Sequence, residues 1–173
     1  MAEQDAQLKV QTLADAFAQA GSVAAGAEAA KDSSKLVELA SQAPVVRLVD
    51  TVLTEAVARR ASDIHIEAFE HDVYIRYRID GRCYQVAQPP KSLALALSSR
   101  LKVLANLDVA ESRLPQDGRI LLTVNERPVD LRISTLRTMY GESSVMRVRD
   151  RGALDKTLGD LVMDPAMQHA IEQ

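Results

Sequence analysis

Apolar and polar residues alternate most regularly over residues 61–81, which have the sequence ASDIHIEAFEHDVYIRYRIDG. This period of two predicts strands with one buried and one exposed face, and the interruption near its middle predicts a pair of them. Asp80-Gly81 ends the second strand and favours a tight hairpin, because both residues tolerate a positive φ. The exposed face of these strands then carries a row of charged side chains, which includes His65, Glu67, Arg76 and Arg78.

Two segments have apolar residues at helical spacing instead. Residues 45–60 form one apolar stripe and end on a pair of arginines, which suit the last turn of a helix. A second helix is predicted from about Ser92 to Asn106, beyond the rigid break at Pro89-Pro90, with its leucines on one side. Both helices are expected to pack against the sheet.

Alternation returns over residues 119–124, 128–135 and 143–149, and short turns separate these segments. With a returning strand after the hairpin at Gly81, about six strands are expected. They follow one another mainly through hairpins rather than through helices. The sequence therefore predicts an α+β fold with a mixed or mostly antiparallel sheet of about six strands and two packing helices.

The two ends of the chain differ from this central part. Residues 1–43 are rich in alanine and predict a flexible leader with a weak helix, which should be dispensable for folding. The folded domain is expected over residues 44–150, and residues 151–173 are interpreted as a linker followed by a short helix. The leader has three lysines against six acidic residues, so its net charge of −3 is that of the whole chain.

The composition, 47% hydrophobic and 26% charged, is typical of a soluble globular domain. Aromatic residues make up only 3%, and residues 44–173 carry no net positive charge, so we expect no nucleic-acid partner. Cys83 is the single cysteine, which excludes a disulfide within the chain and a zinc site built from several cysteines. No stretch resembles a signal peptide or a membrane span, and a cytoplasmic location fits.

Asp63, His65 and Glu67 are spaced by two on one strand face, as three ligands of a metal ion would be. That spacing is common in strands, however, and no second group of ligands accompanies it. We expect no metal site, and we predict instead that His65 and Glu67 form a structural or interdomain network with Arg76 and Arg78 on the neighbouring strand.

Residues 113–151 contain eight arginines and no lysine. The planar guanidinium group binds phosphate or carboxylate through two parallel hydrogen bonds, which a lysine cannot do. Arg113 in a loop, Arg119 at a strand start and Arg132 on an outward face are the candidates for such a role. The alternative is that each caps a loop or pairs with Asp117 or Asp130. No serine, cysteine or histidine has a convincing partner for nucleophilic catalysis.

Four stretches in a fixed order carry a resemblance to a known family. They are residues 61–81, residues 100–120 (RLKVLANLDVAESRLPQDGRI), residues 129–135 (VDLRIST) and residues 140–150 (YGESSVMRVRD). Together they resemble the N2 domain of the GspE/PilB family, the hexameric ATPases of bacterial type II secretion and type IV pilus assembly. The resemblance covers about residues 45–173 and departs from the family at Ala68, where proline is usual.

The resemblance implies a small, PAS-like domain that precedes a nucleotide-binding domain, whose beginning would lie within residues 151–173. The chain contains no G-x-x-x-x-G-K-[ST] sequence, so we expect it to stop before the Walker A motif and to be inactive as an ATPase alone. ATP and Mg²⁺ are implied as cofactors of the full-length protein and not of this chain.

The resemblance also implies that Arg113, Arg119 and Arg132 are arginine fingers for the nucleotide held by the C-terminal ATPase domain. The implied partners are that domain, neighbouring subunits of a homohexamer and an inner-membrane platform or membrane-associated recruiter, with the protein peripheral to the inner membrane. Two alternatives stay open. One is a DNA-uptake or conjugation ATPase relative, and the other is a PAS-like ligand-sensing module, which a large apolar cavity would favour.

Overall fold

A computed structural model describes residues 15–20, 33–124 and 126–150. The helices are α1 (helical residues 15–20), α2 (Ser33–Ala40), α3 (Ala43–Ala58) and α4 (Ala94–Leu104), and a 3₁₀ turn (Lys91–Leu93) leads into α4. The strands are β1 (Asp63–Ala68), β2 (Val73–Ile79), β3 (Arg82–Ala87), β4 (Gln116–Val124), β5 (Arg127–Thr138) and β6 (Gly141–Asp150).

The strands form one six-stranded sheet in the order β3-β2-β1-β6-β5-β4. Every neighbouring pair in the sheet is antiparallel. The first three strands and the last three strands are each joined by hairpins, and β1 pairs with β6 to unite the two halves. The predicted α+β class and strand number are confirmed, and the sheet is antiparallel throughout.

The apolar positions of the central strands share the face that packs against the helices. Ile64 on β1 lies opposite Tyr77 on β2 and opposite Met146 on β6, which in turn lies opposite Ile133 on β5. None of these four residues is more than 1% exposed. A slip of one residue in any pairing would turn a strand's apolar side chains toward water, so this row fixes the register.

The apolar stripe predicted for residues 45–60 is the buried side of α3. This helix begins with Pro44 in its first turn, where a missing N–H group costs nothing. The hydroxyl group of Tyr77 donates a hydrogen bond of 2.8 Å to the carbonyl oxygen of Val52, which ties α3 to β2. Burial raises the pKa of Tyr77 far above its ordinary value, so this hydroxyl group stays a neutral donor.

The predicted hairpin between β2 and β3 is confirmed in its backbone. Asp80 and Gly81 have φ angles of 49° and 79°, the positive values that this tight turn requires.

A buried ion pair joins α4 to the sheet. Lys102 is completely buried, and its Nζ atom lies 2.5 Å from the carboxylate of Glu142 on β6. It also donates a hydrogen bond of 2.7 Å to the carbonyl oxygen of Glu111, while the Oγ atom of Ser98 donates one of 2.8 Å to Glu142. Burying an ammonium group costs free energy unless it is paired, and these contacts of Lys102 offset that cost.

The structure differs from the expected flexible leader over Ser33–Ala40. This segment forms α2, in which Leu36, Leu39 and Ala40 are at most 6% exposed. These three residues share one helix face at spacings of three and four, and the small alanine allows close packing. Ala20, also in the predicted leader, is completely buried in the main core. Leader residues 1–14 and 21–32, the predicted turn residue Asn125 and the predicted linker and helix after Asp150 lie outside the described residues.

Within the described part of the chain, no helix combines the length and the apolar character needed to cross a membrane.

If α2 belongs to the folded unit, Leu39→Ala should lower the free energy of unfolding by about 2 kcal/mol or more. Leu39 is buried together with Val45 and Ala96, so truncation leaves a cavity between three helices. Urea unfolding followed by circular dichroism measures the loss. Val37→Ala is the matched control, because Val37 is 43% exposed on the same helix and its truncation should change stability by less than about 0.5 kcal/mol. Equal effects of both variants would show that α2 does not pack on the domain.

Candidate functional site

The face of the sheet opposite the helices, which is its open face, carries one continuous row of charged residues. Strand register places one residue of this row on each of five adjacent strands. In the order β4, β5, β6, β1 and β2, the row consists of Arg119, Arg132, Arg147, Asp63 and Arg78. Because it has four arginines and only one aspartate, this arginine row is a strongly basic strip on an otherwise mixed surface.

Asp63 is the acidic member of the row and is only 8% exposed. Its carboxylate accepts hydrogen bonds from the Oγ atom of Ser62 at 2.9 Å and from the Nε atom of Arg147 at 3.2 Å. The Nε atom of Arg78 approaches it from the other side at 3.4 Å. Burial acts to raise the pKa of Asp63, but these hydrogen bonds and positive charges outweigh it and hold the pKa below its usual value.

Arg119 is held by a carboxylate on the neighbouring strand. Its Nε atom donates a hydrogen bond of 2.6 Å to Asp130, and its Nη2 atom bonds the second oxygen of the same carboxylate. Asp130 is only 5% exposed, so the pair is partly buried and side-on. This pairing raises the pKa of Arg119 and occupies the Nε edge of its guanidinium group, which leaves both N–H groups of Nη1 and one of Nη2 for any other acceptor. It is one of the two pairings that the sequence offered as an alternative to a functional role.

Arg113 lies in the loop before β4 and is bound to Glu111. Its Nε and Nη2 atoms donate hydrogen bonds of 3.1 and 2.8 Å to the two carboxylate oxygens, and its backbone N–H group donates a third of 2.6 Å. The side-chain and backbone hydrogen bonds from Arg113 lower the pKa of Glu111 to about 2. Because 85% of the Arg113 side chain is exposed, this pair is readily exchanged for another partner.

Arg132 and Arg147 are the members of the row whose terminal nitrogens stay available. The side chain of Arg132 makes no ion pair or hydrogen bond with another residue in the described part of the chain. Arg147 uses only its Nε atom, toward Asp63, and 70% of its side chain is exposed. Arg132 also lies directly opposite Arg119 on one side and Arg147 on the other. Like charges at such positions repel, so this part of the surface favours a bound anion.

Arg147 is the functional candidate that sequence reasoning missed. Its outward direction follows from the alternation of Val145, Arg147 and Arg149 on the last strand. Its place beside Arg132 does not, because it depends on the register between β5 and β6. A pattern within one strand carries no information about which residue of another strand lies opposite.

The four residues of the predicted network, His65, Glu67, Arg76 and Arg78, are divided between two groups of contacts. Glu67 accepts a hydrogen bond from the Nη2 atom of Arg76, and the Nδ1 atom of His65 lies 3.7 Å from the same carboxylate. Arg78 is in the other group, since it pairs with Asp63 in the row that includes Arg147. The carboxylates of Asp63 and Glu67 are therefore both engaged by arginines. In the described residues, no three histidine, cysteine or acidic side chains are placed to hold a metal ion.

Comparison with known proteins shows that this chain is similar to bacterial secretion system proteins. A family model described as "Type II/IV secretion system protein" matches residues 38–173. Type II secretion system protein E of Klebsiella pneumoniae is 43% identical over 146 residues, which are 84% of this chain and 29% of that protein. Type II secretion system protein HxcR of Pseudomonas aeruginosa is 44% identical over 168 residues, which are 90% of this chain and 36% of that protein.

A solved structure, that of the Legionella pneumophila ATPase DotB, matches 72% of this chain and 34% of its own with a TM-score of 0.43 and 15% identity, a likeness too distant to carry an inference. The chain thus spans about a third of the length of the secretion proteins that it matches. The family model covers both the arginine row and the carboxylates that hold it. On this match and on the identities above 40%, the chain belongs to the type II/IV secretion system protein family.

Proposed function

We propose that this chain is an N2-type domain of a hexameric ATPase that powers type II secretion or the related assembly of type IV pili. In this proposal, its arginine row binds the phosphates of a nucleotide held by the C-terminal ATPase domain. Family membership over residues 38–173 supports the domain assignment. The observation that carries the role of the site is the pair of neighbouring arginines, Arg132 and Arg147, with available terminal nitrogens.

The spacing of this pair suits a phosphate group. Residues directly opposite on adjacent antiparallel strands have Cβ atoms about 5 Å apart. Two guanidinium groups that extend from such positions can contact different oxygens of one phosphate, each through two N–H groups. Arg132 and Arg147 are opposite each other on β5 and β6. The pair can therefore act together on one anion. Arg119 also lies opposite Arg132, but its own guanidinium group is engaged by Asp130, and Arg113 is engaged by Glu111 in the loop before β4.

The three arginines first selected from the sequence have different prospects in this proposal. Arg132 keeps the role of an arginine finger. Arg113 also keeps it, because its exposed bond to Glu111 is weak and easily replaced. Arg119 is assigned a structural role, since moving it would remove two hydrogen bonds from the buried carboxylate of Asp130.

In the full-length protein, ATP would supply the phosphoryl group, and Mg²⁺ would partly neutralise the charge of its phosphates. The donor groups of the row fit phosphate oxygens, whereas the described residues offer no cluster of carboxylates for Mg²⁺. The cation would accordingly be held by the remainder of the full-length protein. What Arg132 and Arg147 contribute is fixed positive charge where negative charge develops in the transition state.

The remaining partners follow from the same proposal. The open face meets the C-terminal ATPase domain, and other surfaces meet neighbouring subunits of the hexamer. A secretion machine also requires contact with an inner-membrane platform or a membrane-associated recruiter, which places the protein at the cytoplasmic side of that membrane. Membership in the secretion family supports these assignments.

In the full-length protein, Arg132→Ala and Arg147→Ala should each lower ATP turnover by at least about tenfold, which corresponds to roughly 1.4 kcal/mol in the transition state. Steady-state ATPase assays measure this effect. The same substitutions in this chain should leave its melting temperature nearly unchanged, because neither side chain is buried. Arg82→Ala, an exposed arginine at the start of β3, is the matched control and should change neither quantity.

Arg119→Ala separates the functional role from the structural one. It should lower the melting temperature of this chain, because it removes two hydrogen bonds from the buried carboxylate of Asp130. Unchanged turnover in the Arg132 and Arg147 variants, with folding intact, would show that the row is only a solvated surface.

The chain alone should hydrolyse no ATP above background and should bind ATP weakly at most, since it has no glycine-rich phosphate loop. Isothermal titration with Mg²⁺ and ATP measures the affinity. A dissociation constant in the micromolar range would contradict the proposal that the row only completes a site held elsewhere.

A further inference from the structure

The buried carboxylate of Asp63 is contacted by three side chains, those of Ser62, Arg78 and Arg147. It lies on β1, directly opposite Arg147 on β6 and Arg78 on β2. Ser62 and Arg78 approach it at 2.9 and 3.4 Å, so it has a hydroxyl donor and a counter-charge without Arg147. Arg147 then adds a third contact, although 70% of its own side chain lies in solvent.

We propose that Asp63 is a positioning residue that holds Arg147 in place for an incoming phosphate group. This inference rests on the proposed function, because it concerns how the same site is prepared for its ligand. It adds a residue that touches no substrate and acts through Arg147.

The atoms that make the contact support this role. Of the three Arg147 nitrogens, only Nε donates a hydrogen bond to Asp63, at 3.2 Å. The two terminal nitrogens of Arg147 therefore keep all their N–H groups. Asp130 instead binds Arg119 through both Nε and Nη2. A carboxylate that contacts Nε alone limits the rotation of a long side chain while leaving its phosphate-binding end available.

Arg78 explains why Arg147 can also adjust its position. The Nη1 atom of Arg78 donates a hydrogen bond of 3.1 Å to the carbonyl oxygen of Gly81. This bond anchors Arg78 to the hairpin beside Asp63. If Arg147 moves outward to meet a phosphate, Arg78 and Ser62 still compensate the buried carboxylate. The arrangement gives Asp63 one permanent arginine and one that can reach the ligand.

The test is a double-mutant cycle in the full-length protein with four proteins: the wild type, Asp63→Asn, Arg147→Ala and the double variant. Asparagine keeps the size of the side chain and can still accept the Ser62 hydrogen bond, but it loses the charge that holds Arg147. We expect Asp63→Asn to lower kcat by about threefold or more while KM for ATP changes less, because a finger acts mainly in the transition state. In the Arg147→Ala background, the same change should lower kcat by less than about twofold.

Glu67→Gln is the matched control. It removes the other carboxylate on the same face of β1, which pairs with Arg76 and not with the arginine row. Turnover should remain close to that of the wild type. A loss as large as that of Asp63→Asn would overturn the inference, because it would show a general effect of charge on the sheet.

The outcomes separate the inference from the proposed function. If Arg147→Ala leaves turnover unchanged, the proposed role of Arg147 fails, whatever Asp63 does. If Arg147→Ala lowers turnover but Asp63→Asn does not, or if the two losses multiply in the double variant, the positioning role of Asp63 is overturned. Multiplied losses are the result expected of a carboxylate that only stabilises the fold.

A second measurement covers the case in which Asp63→Asn fails to fold. In this chain without substitution, the NMR signal of the Arg147 Nε–H group should be protected from exchange at neutral pH and should shift when Asp63 takes up a proton. Because the pKa of Asp63 is lowered, that shift should come at a pH below the ordinary pKa of an aspartate. An Nε–H signal that exchanges rapidly and ignores the titration would overturn the inference.

Discussion

The pairing of β1 with β6 is the contact on which the rest of the structure depends. Each half of the sheet is a set of hairpins closed by local turns, and only this pairing joins them. It places Ile64 opposite Met146 in the core and Asp63 opposite Arg147 on the open face. A single register therefore fixes both the packing of the domain and the geometry of the arginine row.

Carboxylates on the open face have two different effects on the arginines beside them. Asp130 binds two nitrogens of Arg119 and thereby holds one edge of its guanidinium group. Asp63 binds one nitrogen of Arg147 and shares its charge with Arg78. Residue type and charge are the same in both cases, and the number of nitrogens engaged makes the difference. Arginine content alone is consequently a poor guide to which side chains on this face keep N–H groups available for a ligand.

Local features of the chain were predictable from its sequence because they depend on neighbouring residues. The strand alternation, the positive φ of Asp80 and the apolar stripe of α3 all belong to this class. The docking of α2 was not predicted, since a helix of eight residues is stable only through contacts with other helices. The burial of Lys102 also lacks a sequence signal, because its partner Glu142 is supplied by a distant strand. The place of Arg147 in the site was missed for the same reason.

The long separation between β1 and β6 also has a consequence during synthesis. Asp63 and Arg147 are 84 residues apart, and the hairpins on either side close over much shorter loops. Local hairpins form quickly, whereas a pairing across such a loop must wait for the whole intervening chain. While the ribosome is still making the last strand, the inner edge of β1 has no partner and can pair with another nascent chain. The same delay means that no partly synthesised chain can present the completed row of arginines.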